Sequence, residues 1–585
     1  MNYLNRQPNY DKEPEIVVSG YEDFAWEGYN DILKEIKSRI NKDKFIITVD
    51  TYPGVKDAEV LDNMTKRLKP DYIIKSEDVF YDGEKLTQLM QRNLTDDRVF
   101  GIMYYGSILD FIDDKKLEKA RTTVNDIKRG TILIYGVAAS LISRGDILIY
   151  ADMARWEIQK RFRRGELGNY KADNLNDDPL VKYKRGYFIE WRVADRHKEK
   201  LFDDIDYLLD TNIYDNPKMI TGDAFRAGLT KAISRPFRVV PYFDPGVWGG
   251  QWMKQVCNLD KTEDNYAWCF DCVPEENSLY LKYGKIRVEV PSLDVVLYKP
   301  IELLGEKVYA RFGAEFPIRF DFLDTMDGQN LSLQVHPSTD YIQKTFGMHY
   351  TQDESYYILD AKDDACVYLG LNDSADKKDF ITDLEKAQKG EIVFDTDKYV
   401  NKFPAKKHDH FMIPAGTIHC SGSNCMVLEI SATPYIFTFK LWDWGRLGLD
   451  GKPRPVHINH GKNVIRWDRT TKWVYNNLID KVKIIAEDGN YKEEVTGLHE
   501  FEFIETRRTW SDGIMEHNTQ GIVNVLNLVE GEEAIVESPQ NKFEPFIVHY
   551  AETFIVPAAV GEYTVRPYGR SKKRRIATIK AYVKF

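Results

Sequence analysis

Polar side chains at alternate positions of one predicted strand could hold a metal ion. Ser332, Gln334 and His336 follow one another with a spacing of two, and successive side chains of a strand point to opposite faces, so these three share a face. Glu354 begins a second strand-like run, and His419 follows a Pro-Ala-Gly turn. Two imidazoles, a carboxylate and an amide oxygen form a ligand set that suits zinc and leaves room for water or substrate. We therefore predict one zinc ion, held by Gln334, His336, Glu354 and His419.

The region around these residues predicts an all-β architecture. From about residue 236 onwards, short alternating segments such as residues 286–290 are separated by Gly, Pro, Asp and Asn. Short strands with regular turn residues are typical of a β-sandwich or barrel. A helical stretch at residues 374–389 interrupts the pattern. We expect one small barrel to aim the four predicted ligands at a single point.

Several motifs in this region resemble a known enzyme family. They are LSLQVHP at 331–337, ESYYILDA at 354–361, VYLGL at 367–371, IPAGTIHC at 413–420 and WDWGR at 442–446. Together they are similar to the class I mannose-6-phosphate isomerases, which are zinc enzymes built on cupin barrels. The resemblance covers roughly residues 240–585. It implies a catalytic cupin (jelly-roll) domain at 236–465, with the helical stretch as an insert, and a second cupin domain at 466–585.

The predicted second barrel differs from the first at the turn that should carry a ligand. Residues 552–558 repeat the strand and the Pro-Ala turn of the first barrel. Where the first barrel has His419, however, the later segment offers Gly561 and Glu562. We therefore predict that the second barrel holds no metal and serves in packing.

The resemblance implies an aldose–ketose isomerase that interconverts mannose 6-phosphate and fructose 6-phosphate through an enediol. Charge builds on the sugar oxygens in such a reaction, and a zinc ion with open positions can polarise them. Arg446 matches an arginine that the family uses, and we predict that it is catalytic; the alternative is a structural ion pair with an aspartate. Ser332 and Trp444 are predicted to bind the substrate. The proton-transfer base is not identified by the sequence.

Two positions depart from the family's pattern. Asp321 stands where much of the family has a lysine, and Gln352 stands where it has another. A phosphate held by charge would miss both cations. The exact sugar therefore stays open, and a non-catalytic cupin protein that binds a sugar phosphate is an alternative.

Residues 1–235 predict an α/β domain. A strand of buried type at 44–49 leads through a turn with Gly54 and Lys56 into a helix at 58–68. A strand, a glycine-containing turn and a helix form the frame of a phosphate-binding loop. This part of the chain resembles nucleoside and nucleotide kinases of the P-loop class.

Most of the chemistry of such a loop is missing here. Asp50 and Val55 stand at its two glycine positions, and Asp57 replaces its hydroxyl residue. The aspartates would repel the phosphates that the loop should hold. We therefore predict a degenerate loop that does not bind ATP and Mg²⁺, and keep a bifunctional kinase and isomerase as the alternative. A later helix is predicted to expose its arginines, namely Arg155, Arg161, Arg163 and Arg164.

Composition excludes several classes of function and location. A formal charge of −11 argues against nucleic-acid binding, which normally needs a basic excess. The apolar runs are shorter than the ~20 residues that cross a bilayer, and the first residues lack a signal-peptide pattern. Six cysteines in 585 residues indicate no disulfide framework. We expect a cytoplasmic protein with a small sugar phosphate as its partner and no membrane contact; the oligomeric state cannot be read. We also interpret His408 and His410 as surface residues.

Overall fold

The computed structural model describes residues 3–432, 437–449, 451 and 454–585. Its strands, in chain order, are β1 (Glu15–Val17), β2 (Ala25–Glu27), β3 (Lys44–Thr51), β4 (Tyr72–Lys75), β5 (Gly130–Gly136), β6 (Ile147–Asp152), β7 (Tyr207–Asp210), β8 (Lys218–Thr221), β9 (Tyr242–Asp244), β10 (Trp268–Cys272), β11 (Ser278–Tyr283), β12 (Ile286–Pro291), β13 (Ile318–Asp324), β14 (Leu333–Val335), β15 (Glu354–Ala361), β16 (Cys366–Leu371), β17 (Val400–Pro404), β18 (His410–Ile413), β19 (His419–Ser421), β20 (Cys425–Ala432), β21 (Phe439–Trp442), β22 (Lys483–Asp488), β23 (Tyr491–Gly497), β24 (Ile504–Ser511), β25 (Met515–Asn518), β26 (Asn524–Glu530), β27 (Glu533–Glu537), β28 (Phe546–His549), β29 (Thr553–Val556), β30 (Glu562–Pro567) and β31 (Ile576–Val583).

The helices, also in chain order, are α1 (Gly28–Arg39), α2 (Asp57–Leu68), α3 (Gly83–Leu94), α4 (Asp114–Asp126), α5 (Arg155–Arg163), α6 (Pro179–Arg185), α7 (Trp191–Lys198), α8 (Gly222–Ile233), α9 (Trp252–Val256), α10 (Leu293–Tyr298), α11 (Pro300–Leu304), α12 (Glu306–Phe312), α13 (Thr339–Phe346), α14 (Lys377–Gln388), α15 (Ile458–Val464) and α16 (Thr471–Asn477). A π-helical turn, Gly186–Glu190, joins α6 to α7. Helix α14 occupies the stretch that the sequence predicts as helical. No described helix combines the length and the apolar composition that crossing a lipid bilayer needs.

The chain divides into two compact units, which confirms the multi-domain, sheet-rich architecture. We call one the α/β unit; it comprises Glu15–Ala232 and Pro274–Lys299. The other, which we call the β unit, takes its described residues from Met1–Pro14, Ile233–Val273 and Pro300–Phe585. Each unit is therefore assembled from segments that are separated in the sequence.

The α/β unit is organised around a seven-stranded sheet of order β2-β8-β7-β6-β3-β5-β4. The five strands from β7 to β4 in this order run parallel, while β8 is antiparallel to β7 and β2 to β8. Parallel strands are covered by helices on both faces, which explains the nearly continuous apolar run of β3. Ile47 and Val49 of β3 pack with Ile32 and Ile36 of α1 and Met64 of α2 in one buried core.

The first half of the β unit contains two sheets. One has six strands in the order β18-β15-β20-β13-β10-β9, and the other has five in the order β17-β16-β19-β14-β21. The pairs within both sheets are antiparallel. Buried polar residues of the two sheets meet between them, as described below, so the sheets face one another.

The second half of the β unit repeats the arrangement of two sheets around an apolar core. Its six-stranded sheet has the order β22-β23-β24-β31-β26-β29, and its four-stranded sheet has the order β25-β30-β27-β28. Leu526 and Phe554 of the larger sheet share one apolar core with Val536 and Val565 of the smaller one. Gly561 and Glu562 lie at the start of β30, where the sequence predicts no metal site.

Candidate metal centre

Three of the four predicted metal ligands meet in the interior of the β unit. One ligand atom from each of His336, Glu354 and His419 lies within 4.8 Å of the other two. His336 Nε2 is 3.0 Å from Glu354 Oε2, and His419 Nε2 is 2.7 Å from Glu354 Oε1. All three side chains are buried. The cluster therefore joins two imidazoles to one carboxylate away from bulk water.

Facing sheets supply these residues. His336 comes directly after β14, and His419 opens β19, which pairs with β14 in the five-stranded sheet. Glu354 opens β15 in the six-stranded sheet, where it pairs with Ile413 and Ser431. The turn before His419 contains Gly416, whose φ of +90° lies in the region that favours glycine. Its N–H donates to the carbonyl of His336 at 2.9 Å, which ties the turn to the end of β14.

Backbone hydrogen bonds orient both imidazoles. His336 Nδ1 lies 3.2 Å from the carbonyl oxygen of Phe437, and His419 Nδ1 lies 2.9 Å from that of Thr417. A carbonyl only accepts, so each Nδ1 carries the proton and each Nε2 presents a lone pair towards Glu354. This is the arrangement in which a histidine binds a metal through Nε2 while a second partner holds its ring.

The cluster fits a divalent cation. His336 Nε2 lies close to Glu354 Oε2, and Glu354 Oε1 lies close to His419 Nε2. Nevertheless, His336 Nε2 and Glu354 Oε1 are buried and make no hydrogen bond of acceptable geometry among the described residues. Burial by itself would raise the pKa of Glu354, but positive charge at His336 and His419, present when the rings are protonated, lowers it well below its ordinary value. In their neutral form the two imidazoles offer nitrogen lone pairs, and together with a carboxylate these are the donor set of many zinc sites.

The fourth predicted ligand, Gln334, lies beside this cluster. It pairs with His419 across β14 and β19, and its amide group is 3.2 Å from His419 Nε2. The two ends of an amide have the same shape, so turning it places the oxygen at that position. Gln334 can therefore complete a four-ligand set.

Residues near Glu354 replace the two lysines that the family pattern leads one to expect. Gln352 Nε2 donates to Glu354 Oε2 at 3.0 Å and to Glu429 Oε1 at 3.3 Å. Asp321 is buried in an ion pair with Arg319. Gln352 thus orients Glu354, which is one of the predicted metal ligands. Asp321 neutralises the charge of Arg319 through their ion pair.

The other predicted substrate residues are held by hydrogen bonds near the start of β14. Ser332 Oγ donates to Asp443 Oδ1 at 2.9 Å, and Trp444 Nε1 donates to the carbonyl of Leu331 at 2.8 Å. Arg446 pairs with Asp443, which is the structural alternative to a catalytic role. Arg446 Nη1 also donates to the carbonyl of Asn330 at 2.8 Å. The structure thus fixes the positions of Ser332, Trp444 and Arg446 without bringing them into the metal cluster.

Two further cations adjoin Arg446, and the sequence reasoning missed both. Arg454 Nε lies 2.9 Å from Asp443 Oδ2, and Lys440 stands directly opposite Gln334 in the pairing of β21 with β14. Burial lowers the pKa of Lys440 to about 7, and the neighbouring Arg454 adds to this effect. Arg446 and Arg454 thus pair with one carboxylate, and the charge of that carboxylate also acts on Lys440; we call Lys440, Arg446 and Arg454 the cation cluster. Alternation along β14 could have pointed to Lys440 only if the partner strand had been known.

His410 corrects the interpretation of His408 and His410 as surface residues. His410 is 5% exposed, and neither ring nitrogen has a hydrogen-bond partner among the described residues. Burial lowers its pKa to about 3. His408 is half-buried and lies 2.8 Å from the hydroxyl of Tyr357. The interpretation is therefore wrong for His410.

The predicted phosphate-loop residues lie between β3 and α2 in the α/β unit. Gly54 has a φ of +126°, and a Cβ there would come within 2.7 Å of Ile158. Lys56 Nζ pairs with Glu166 at 2.7 Å. Asp50 is buried and accepts from the N–H groups of Ala138 at 2.9 Å and Ser140 at 3.0 Å. The loop's lysine and its first aspartate are therefore both engaged within the protein.

The arginines of α5 do not form one exposed face. Arg155 and Arg161 are both 2% exposed. Arg155 pairs with Asp195, and Arg161 donates to the carbonyl of Thr211 at 3.0 Å. The expected exposure is wrong for these two residues, whereas Arg163 and Arg164 are exposed.

Comparisons with known proteins give one family match and several curated relatives. Residues 28–234 match the family described as "Domain of unknown function (DUF8485)". The "Probable mannose-6-phosphate isomerase GmuF" of Bacillus subtilis (strain 168) is 27% identical over 235 residues, which are 40% of this chain and 69% of that protein. The "Mannose-6-phosphate isomerase" of Streptococcus mutans is 27% identical over 37% of this chain and 64% of its own length. "Mannose-6-phosphate isomerase ManA" of Bacillus subtilis (strain 168) is 29% identical over 26% of this chain and 45% of its own length.

Solved structures give a weaker likeness. The "Mannose 6-Phosphate Isomerase from Bacillus subtilis" has a TM-score of 0.47 and 16% identity, and the match covers 60% of this chain and 100% of that one. The curated relatives support the resemblance to the class I mannose-6-phosphate isomerases. The likeness of residues 1–235 to P-loop kinases stays a prediction.

Proposed function

We propose that the β unit is a zinc-dependent aldose–ketose isomerase that interconverts mannose 6-phosphate and fructose 6-phosphate. The observation that carries the proposal is the buried cluster of His336, Glu354 and His419, with Gln334 beside it. The names of the curated relatives supply the substrate. The reaction moves a proton between C1 and C2 of the open-chain sugar through an enediol.

In this proposal the protein's own groups prepare the site before substrate arrives. A zinc ion, when bound, supplies a Lewis acid for the oxygens on C1 and C2. His336 and His419 keep their Nε2 lone pairs aimed inward because backbone carbonyls hold their Nδ1 protons. Gln352 holds one carboxylate oxygen of Glu354. The ligand geometry is therefore set in advance, which lowers the reorganisation that the reaction requires.

The cation cluster provides a place for the phosphate end of the substrate. His419, Gln334 and Lys440 stand opposite one another on β19, β14 and β21, so their side chains share one face of the sheet. With two strand spacings between them, Lys440 lies about 10 Å from His419. An open-chain hexose phosphate can span that separation with its reactive carbons at the metal ligands. The cluster thus supplies positive charge that Asp321 and Gln352 do not.

A coupled isomerase assay on purified full-length protein tests the proposal. Mannose 6-phosphate should be converted, activity should disappear after chelation, and zinc should restore it. His336→Ala and His419→Ala should abolish turnover, while His410→Gln, which changes a buried histidine of the facing sheet, should leave it intact. Undiminished turnover in protein shown to be free of zinc would refute the zinc dependence. Binding of mannose 6-phosphate without any turnover would instead support the non-catalytic sugar-phosphate-binding alternative.

A further inference from the structure

A strand at one edge of the second half of the β unit is exposed along its whole length. β22 is the first strand in the order β22-β23-β24-β31-β26-β29, and among the described strands it pairs with β23 alone. All of its residues are exposed. Alternate residues of a strand turn their backbone N–H and C=O groups to the same side, so a row of these groups points away from β23. Such a row is a template on which another strand can pair.

Apolar side chains accompany this free edge. Ile484 is 50% exposed, Ile485 is 41% exposed, and Val482, just before the strand, is 40% exposed. Ile485 is the extra residue of a bulge in the pairing of β22 with β23, so it faces no residue of β23. Neighbouring aliphatic side chains that stay exposed in one chain indicate a surface that a partner covers.

The charged side chains of this edge are separated by sign. Lys481 and Lys483 lie at its start, whereas Glu487 and Asp488 lie at its end. None of these four forms an ion pair within the part of the chain that the structure describes. Lys492 stands opposite Glu487 on β23 but pairs with a carboxylate of its own strand. The four charges are therefore available to a partner.

This separation makes the edge complementary to itself in one direction only. Charged residues normally protect a sheet edge, and like charges that stand directly opposite each other destabilise a strand pair. Two parallel copies of β22 would set lysine beside lysine. Two antiparallel copies set the lysine end of one beside the acidic end of the other. When Ile485 faces its own copy, Lys483 stands opposite Glu487, and symmetry forms this contact twice.

We propose that β22 pairs antiparallel with β22 of a second copy of this chain, so that two six-stranded sheets join across a two-fold axis. Ile485 lies at the axis. Centring the pair on Ile484 instead would set Asp480 opposite Asp488, where the two carboxylates repel. One short strand makes a small interface, so we expect a dissociation constant on the order of 10 µM.

Sedimentation velocity of the full-length protein, from about 1 to 200 µM, tests the proposal and should show a monomer–dimer equilibrium. Lys483→Glu turns both charge contacts from attraction to repulsion and should raise the dissociation constant about tenfold or more. Adding Glu487→Lys restores opposite charges and should restore the dimer. Lys472→Glu, which changes an exposed lysine on α16, should leave the equilibrium unchanged.

Cross-linking tests the register. All six native cysteines are buried, so a short bismaleimide should join only introduced thiols. Opposite residues of a strand pair have Cβ atoms about 4.5–5.5 Å apart, so Ile485→Cys should give a covalent dimer and Lys472→Cys should not. Circular dichroism confirms that each variant folds.

Three results would overturn the proposal. The first is a protein that stays monomeric at about 200 µM, well above the expected dissociation constant. The second is a dimer that Lys483→Glu leaves intact, or one that Lys483→Glu weakens and the added Glu487→Lys does not restore. The third is equal cross-linking of Ile485→Cys and Lys472→Cys.

Discussion

In the β unit the predicted metal ligands turn their donor atoms towards one another, whereas in the α/β unit the predicted phosphate loop pairs its lysine with Glu166. His336 and His419 hold their protons outward and leave lone pairs facing Glu354. Lys56, by contrast, is neutralised within the protein. Both regions have the strands and turns that their sequence motifs indicate, and the α/β unit also has the predicted helix after the loop. They differ in their polar side chains: the metal cluster has donor atoms that a ligand could bind, whereas the lysine of the loop is already in an ion pair.

The same comparison extends to charge. In the β unit Arg446 and Arg454 pair with Asp443, and Lys440 lies in the field of the same carboxylate. In the α/β unit the loop after β3 carries Lys56, which is paired with Glu166, and the buried Asp50 lies at the end of β3. A strand, a turn and a helix do not by themselves make a phosphate site, because the sign of the local charge decides which ligand can enter.

Replacing Glu354 by glutamine should have the largest effect, because it removes the only charged member of the metal cluster. We expect loss of bound zinc and a fall in isomerase turnover of about a thousandfold or more, since Lewis-acid stabilisation is worth several kcal/mol. Metal analysis and the coupled assay measure the two effects. Glu505→Gln, a buried carboxylate elsewhere in the β unit, serves as the control. If Glu354→Gln kept its full zinc content and its full turnover, the proposal that Glu354 holds a catalytic zinc ion would be wrong.

Replacing Lys440 by methionine should weaken substrate binding with little effect on chemistry. Hydrogen bonds to charged groups contribute about 1.5–3 kcal/mol, so KM for mannose 6-phosphate should rise by about ten- to a hundredfold. Steady-state kinetics separates this rise from any change in kcat. Lys402→Met, an exposed lysine on β17, is the matched control. A fall in kcat at constant KM would contradict a role in phosphate binding.

His410 predicts a pH dependence of stability. Its pKa is about 3 in the folded protein, against about 6.5 in an unfolded chain. Between these values only the unfolded state takes up the proton, so stability falls as the pH falls below about 6.5, by up to about 1.4 kcal/mol per pH unit. Denaturant titrations at several pH values should show a shallower dependence for His410→Gln than for the native protein. His408→Gln controls for the loss of a nearby imidazole, and parallel curves for the native protein and His410→Gln would contradict the prediction.

Strand periodicity explains why the metal ligands could be predicted. Gln334 and His336 both lie at the metal cluster, as alternation along β14 predicts, and the glycine turn before His419 is readable from the sequence. The interpretation of His408 and His410 as surface residues treated this stretch as a turn, and it is wrong for His410 because β18 begins there. His408 has a φ of +74° and lies before β18, so alternation does not extend back to it.

Long-range pairing limited the prediction elsewhere. Lys440 faces Gln334 only because β21 lies beside β14, about a hundred residues later in the chain. Nothing in the local sequence specifies that neighbour. Arg155 and Arg161 likewise belong to a helix with charged residues on several faces, so only the tertiary partners Asp195 and Thr211 reveal their burial.

Replacing Lys56 by alanine should have the smallest effect and bears directly on the kinase alternative. Its ion pair with Glu166 is partly exposed, and pairs of this kind contribute about 0–1 kcal/mol. Thermal unfolding should therefore change little, and isomerase turnover should not change at all. A nucleotide-binding assay on the native protein and on Lys56→Ala gives the decisive comparison, with Lys69→Ala at the end of α2 as the control. ATP binding by the native protein that is lost in Lys56→Ala but kept in Lys69→Ala would show that the loop binds phosphate. We do not expect this result, because Lys56 can contact a phosphate only if its ion pair with Glu166 opens.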